Sequence, residues 1–177
     1  RLAGLRVRGE AHFLRAQFYF VLVNVYANAY NPENAKSTLG IPLKLTSYVE
    51  HDKDKDTQFE RASVAKVYEQ IVKDLNLSID YLTKSPQTHS FYRASKEAAM
   101  LLLSRVYLYM QEWENAKVIA GELLKLKSTL KSYAALGNED EVISKTNTEV
   151  LFSQGSLNLQ QAFTGEGGDF CISKDLY

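Results

Sequence analysis

Few residues in this 177-residue chain could do chemistry, and their spacing argues against it. The three histidines, His12, His51 and His89, fall on one helical stretch and in two loops, without metal-ligand spacing. The single cysteine, Cys171, lies far from any histidine, so it reads as a structural thiol and permits no internal disulfide. Asp52, Asp54 and Asp56 imitate the first three ligands of an EF-hand loop. Thr57 and Ser63 then stand where that loop needs glycine and glutamate, which leaves a solvated loop. The glycines Gly165, Gly167 and Gly168 lack the strand and the Gly-Lys-Ser/Thr step of a phosphate cradle. No paired carboxylates stand out. With no base or nucleophile beside a partner, the chain is expected not to be an enzyme and to use no metal or cofactor.

Binding is the better-supplied chemistry. There are eleven tyrosines and eight phenylalanines against one tryptophan. A sugar site needs flat aromatic faces for C–H surfaces and amides or hydroxyls at its rim. Binding residues concentrate on loops held by a rigid scaffold, which selects Asn28, Tyr30, Tyr48, Phe91 and Tyr92 as ligand-binding candidates. The competing reading is that these aromatics close helix ends. Lys plus Arg and Asp plus Glu balance at 21 each, so the basic excess that nucleic acid requires is missing.

The elements that would hold these groups read as helices. Ala11, Leu14, Phe18, Leu22, Val25 and Ala29 recur at three- and four-residue steps along a rod that starts near Leu5 and runs to about Tyr30. Two thin polar lines, Arg6–Glu10–Gln17–Asn24–Asn28 and Arg8–Arg15–Tyr19–Tyr26, separate apolar flanks. That pattern predicts a rod covered on two sides by later helices. Asn31-Pro32 stops it, Leu39–Leu43 reads as a short extended segment, and a long insert follows. Ser63 caps a second helix with the stripe Val64, Val67, Tyr68, Ile71, Leu75, Ile79 and Leu82, ended by Ser85-Pro86. Ser95 caps a third, Lys96 to Met110, apolar almost all round and so expected to be buried. A fourth runs from about Trp113 to Lys127 and is expected to bury Ala116, Ala120, Leu123 and Leu124. Beyond Ser128 the period fades, and Leu151–Ser153 reads as a short extended piece. The expected fold is all-α. Residues 1–127 form a helical scaffold with a loop insert at 31–62, and residues 128–177 an irregular, loop-rich extension cut short before the rest of the protein. No apolar run is long enough to span a bilayer.

Leu103, Ser104, Tyr107, Trp113 and Ala116 stand at the spacings of a tetratricopeptide (TPR) helix pair, with Trp113 wedging its turn, and the first two helices resemble a second pair split by the insert. Taken in order, further motifs resemble SusD/RagB-type nutrient-binding proteins. They are Gly9-Glu10-Ala11, Phe13-Leu14-Arg15-Ala16, Tyr19-Phe20, Gly40-Ile41-Pro42-Leu43, Arg61 with Ser63, Val67-Tyr68, Ile71 and Asp74-Leu75. Arg93, Ser95-Lys96, Ala98-Ala99, Leu102-Leu103, Arg105–Tyr109, Trp113, Glu149–Ser153 and Ser173–Leu176 continue the series. The resemblance implies stacked TPR-like antiparallel helix pairs and a non-catalytic lipoprotein on the outer face of the outer membrane of Bacteroidetes-type bacteria. Its implied ligand is an oligosaccharide or other nutrient. Its implied partner is a SusC-like TonB-dependent transporter, and its only membrane contact a lipid anchor outside this chain. The helix-pair spacing alone also fits a TPR-like adaptor that binds a peptide of another protein.

Overall fold

The computed structural model describes residues 2–46, 60–87, 91–130, 132 and 148–153. In chain order these form α1 (Leu2–Tyr26), β1 (Leu39–Pro42), β2 (Arg61–Ser63), α2 (Val64–Lys84), α3 (Lys96–Tyr109) and α4 (Trp113–Leu126). The all-α expectation holds, with one short two-stranded clip added. Of the calls on sequence, Tyr48, His51, His89, the Asp52–Asp56 run, the glycine cluster, Cys171 and most of the 128–177 extension lie outside the described residues.

Contacts along α1 and α2 run in opposite senses. Gly9 meets Leu82, His12 meets Asp74, and Asn24 meets Tyr68, so the two helices are antiparallel. A tight turn joins α3 to α4, with Glu112 N–H donating to the Tyr107 carbonyl at 2.9 Å and Gln111 in the left-handed region at φ 63°. The layer is therefore two antiparallel pairs side by side, α1 with α2 and α3 with α4. The core forms where α2 lies between α1 and α3. Phe13, Ala16, Phe20 and Val23 face Val64, Val67, Tyr68, Ile71 and Leu75, with Ala98, Ala99, Leu103 and Val106 closing the far side.

The start of α2 shows how the insert is anchored. Its first turn would leave backbone donors unmet. Val64 N–H donates to the Thr38 carbonyl and Ala65 N–H to the Ala35 carbonyl, both at 2.9 Å, while the Ser63 hydroxyl accepts from Lys66 N–H. β1 and β2 pair antiparallel, with Leu39 opposite Ser63 and Pro42 opposite Arg61 around an irregularity. Only glycine fits at position 40. A Cβ there would lie 2.9 Å from the Ala62 carbonyl oxygen. The Tyr19 hydroxyl completes the clip by donating to the Lys44 carbonyl at 2.7 Å and accepting from its N–H at 2.8 Å.

The least expected feature is a buried ionic clamp between α1 and α2. Asp74 is fully buried. Its carboxylate accepts from Arg15 Nε at 2.8 Å, from a second Arg15 nitrogen at 2.6 Å and from His12 Nδ1 at 2.8 Å. His12 faces an acceptor-only group, so its hydrogen sits on Nδ1. Burial by itself raises the Asp74 pKa. Hydrogen bonds from Arg15, Gln70 and His12 outweigh it and hold the carboxyl below its ordinary value.

Several sequence expectations are corrected. The stripe Leu14, Phe18, Leu22 and Val25 is exposed, to 55% at Phe18 and 65% at Val25, among the described residues. The buried face is Phe13–Ala16–Phe20–Val23 instead. The periodicity was real, but apolar residues on nearly every side made two faces equivalent, and α2 covers only one of them. The supposed polar lines hold Glu10 and Tyr19, both buried with partners. On α3, Leu101, Leu108 and Tyr109 are exposed. On α4 only Ala116 and Leu123 are buried, Leu124 is 60% exposed, and Trp113, also 60% exposed, does not wedge its turn. Leu151–Ser153 forms no strand, but Phe152 packs edge-on against Phe13 with ring centroids 4.9 Å apart.

Removing the Asp74 charge strands Arg15 against a buried neutral group. Asp74→Asn is expected to cost about 3 kcal/mol, read as a fall in the urea midpoint. Because the folded carboxyl is the stronger acid, its contribution is complete above the unfolded value near ~3.9 and fades as pH falls through the lower folded value. Wild type should therefore lose more stability than Asp74→Asn on acidification. Gly9→Ala would place a Cβ 2.8 Å from Leu82 Cγ at the closest approach of α1 and α2. A loss of about 1–3 kcal/mol is expected in the same assay.

Candidate functional site

The helix directions separate the sequence candidates. At ~1.5 Å per residue α1 is about 37 Å long. Asn28 and Tyr30 follow its C-terminal end, whereas Phe91 and Tyr92 sit in the α2–α3 connection beside its N-terminal end. The structure thus brings them together in two groups at opposite ends of the bundle.

At the first end a row of aromatic rings runs from solvent through the core and out again. Tyr30 packs edge-on against Tyr68 with centroids 4.9 Å apart. Tyr68 packs against Phe20 at 6.2 Å, and Phe20 against Tyr109 at 5.0 Å. Tyr68 is buried and donates to Asn24 Oδ1 at 3.3 Å, while the Asn24 amide donates to the Phe20 carbonyl at 2.6 Å. Burial pushes the Tyr68 hydroxyl up to about 12. Tyr30 is shifted up as well, first by burial and then by Glu112 and Glu69 nearby. The row ends on Tyr109, which is 50% exposed, and Asn28 is exposed two residues before Tyr30. An open tyrosine face with amide and carboxylate groups in reach suits the C–H face and hydroxyls of a sugar.

The second end is a cleft of about 680 Å³ between the end of α2, the start of α3 and the Val150–Leu151 backbone. Phe91 forms one wall and lies against Tyr92, with ring centroids 4.2 Å apart. Three links hold this connection. Arg93 forks onto the Glu10 carboxylate of α1, with Nε donating at 3.1 and 3.2 Å and a terminal nitrogen adding a further short bond. Gln87 Nε2 donates to the Arg93 carbonyl at 3.2 Å. Ser153 N–H donates to the Phe91 carbonyl at 2.9 Å.

Neither end carries the geometry of a reaction centre. The His12–Asp74 pair resembles half of a hydrolytic set, but Arg15 shares the carboxylate, and no hydroxyl nucleophile bonds to His12 among the described residues. No group of three His, Cys, Asp or Glu among them could hold a metal ion. No helix among them is long and apolar enough to cross a membrane.

The sequence profile of the SusD-like family, described as starch-binding associating with outer membrane, matches residues 4–108. The chain belongs to the SusD-like family. A SusD superfamily protein from Bacteroides thetaiotaomicron is 30% identical with a TM-score of 0.60, over 73% of this chain and 27% of that one. A structure described as a putative sugar binding protein from Bacteroides vulgatus is 27% identical with a TM-score of 0.59, over 70% and 26%. A laminarin binding SusD-like protein shares the fold at 24% identity and a TM-score of 0.54, over 75% and 26%. The SusD-like chain spans about a quarter of the length of these solved relatives. No curated protein matches it by sequence.

Several motif residues behind this assignment are now placed. Glu10 and Arg93, and Arg15 and Asp74, are read far apart in sequence and meet in space as the two ionic clamps. They tie the helices and the α2–α3 connection of the SusD-like scaffold together. Reading the sequence missed Tyr109, Glu112 and Asn24 at the first end. Asn24 stands one helical turn before Asn28, and Tyr109 closes α3 just before the turn, so both carried a positional signal.

A spectrophotometric titration near 295 nm checks the burial of Tyr68. One tyrosine should ionise only at about 12, and Tyr68→Phe should remove that step. The folded hydroxyl is the weaker acid, so the stability it contributes is whole below the unfolded value near ~10 and is lost as pH rises through about 12.

Proposed function

We propose that this SusD-like chain is the helical scaffold portion of a non-catalytic, lipid-anchored protein at the cell surface. It binds an oligosaccharide and delivers it to a SusC-like TonB-dependent transporter. Membership of a family described as starch-binding and associated with the outer membrane supports glycan binding at that membrane. The observation that carries the reading is the aromatic row Tyr30–Tyr68–Phe20–Tyr109, rigid in its buried middle and open at Tyr109. A stacking platform fixed by packing binds without first ordering itself. Asn28 and Tyr30 are assigned as contacts at this end. Tyr48, outside the described residues, stays a candidate contact on its sequence position alone. Phe91 and Tyr92 belong to the separate cleft. The adaptor reading is weaker, because a TPR peptide groove would lie between α1 and α3, and Phe152 occupies it at Phe13.

Isothermal titration of the full-length protein with malto- and laminari-oligosaccharides tests the binding step. Tyr109→Ala is expected to weaken the bound neutral glycan about ten-fold, worth ~1.4 kcal/mol, with the melting temperature little changed. Binding to a panel of neutral glycans that is absent, or indifferent to Tyr109, overturns the reading. Copurification of a β-barrel transporter from solubilised outer membranes tests delivery.

A further inference from the structure

The cleft at the Phe91 end is bordered by a connection that three separate links tie down. Its apolar surfaces come from Leu82 of α2, Phe91 of the connection and Leu151 of the returning chain. Its charged rim is Lys96, Lys127 and Glu97. Two of these charges have a local reason to be where they are. Glu97 lies in the first turn of α3 and Lys127 caps α4, and each opposes the partial charge of its helix end. Lys96 has none. It is a half-buried cation in the first turn of α3, where the helix end is itself electropositive, and no carboxylate pairs with it among the described residues. Lys127 is likewise without a carboxylate ion-pair partner among them, so the described rim carries two ammonium groups against one carboxylate. A volume of about 680 Å³ lies within the ordinary range for a small-ligand site.

We propose that this cleft is a second glycan site, selective for a sugar that carries a carboxylate, as a uronic acid does. The C–H face of the ring rests on Phe91 and Leu151, and the carboxylate lies between Lys96 and Lys127. This rests on the reading that the protein binds glycans, and adds a charged specificity at a place distinct from the Tyr109 platform. The ion pair between Arg93 and Glu10 fixes the Phe91 wall and so acts as a positioning contact for the cleft.

The test titrates the full-length protein with tetragalacturonate, and with neutral malto- and laminari-tetraoses, at low and at 0.5 M salt. Tetragalacturonate is expected to bind and to weaken as salt rises. Lys96→Gln should reduce its affinity ten-fold or more, Lys96→Arg should restore most of it, and Tyr109→Ala should leave it unchanged. Neutral tetraoses should show the reverse pattern. No uronate binding, or binding indifferent to Lys96 and Lys127, overturns the proposal. So does uronate binding lost equally in Tyr109→Ala, since one shared site then serves both. If neutral glycans still bind through Tyr109 in any of these cases, the earlier reading stands and only the charged site falls. If nothing binds, both fall.

Discussion

The fully buried carboxylate of Asp74 sets the register of everything around it. A lone charge in that position would be prohibitive, so α1 and α2 are stable together only when Arg15 and His12 arrive opposite it. That one alignment brings Gly9 against Leu82 and Tyr68 beside Asn24. Slipping either helix by one turn would break the clamp and both of these contacts. The apolar seam supplies most of the burial. A seam of valines, leucines and phenylalanines tolerates slippage, and the ionic clamp does not.

From that fixed pair the two ends of the bundle acquire different characters. Where α1 ends and α2 begins, backbone donors are satisfied by the 35–38 turn and the β clip, and aromatic rings stack outward from the core. Where α2 ends and α3 begins, the connection is tied to α1 through Arg93 and Glu10, and its aromatic wall borders an open cleft. One end offers a tyrosine face with carboxylates nearby and the other a cleft rimmed by lysines. The same helix layer thus carries different side-chain chemistry at its two ends.

Much of the scaffold was legible in the sequence, and the reasons are specific. Ser63 and Ser95 followed by apolar periods placed the starts of α2 and α3 correctly, because a capping hydroxyl satisfies a real donor there. The α2 stripe was read almost residue for residue, since its opposite face is plainly polar. α1 was placed but turned the wrong way, since Phe18 and Val25 are as apolar as Phe13 and Phe20 and only the partner helix chooses between them. The candidate site was half legible. Loop position singled out Tyr30 and Phe91, but no local pattern says that α1 holds them at opposite ends. Tyr109 was passed over because it sits in a helix that looked uniformly buried, although its place at the end of α3 was a signal. The clamps were present as motif letters, and their pairing across 59 and 83 residues is a tertiary fact.

The β clip carries a consequence for diversification. β1 and β2 pair at the base of the stretch 43–60, and the Tyr19 hydroxyl and the first turn of α2 fasten both roots to the helices. Closing a longer loop on fixed roots costs little, about 0.6 kcal/mol for each doubling of its length. Insertions, deletions and wholesale exchange of that stretch therefore leave the helix register intact. The stretch is thus a place where sequence can change while the core remains under constraint.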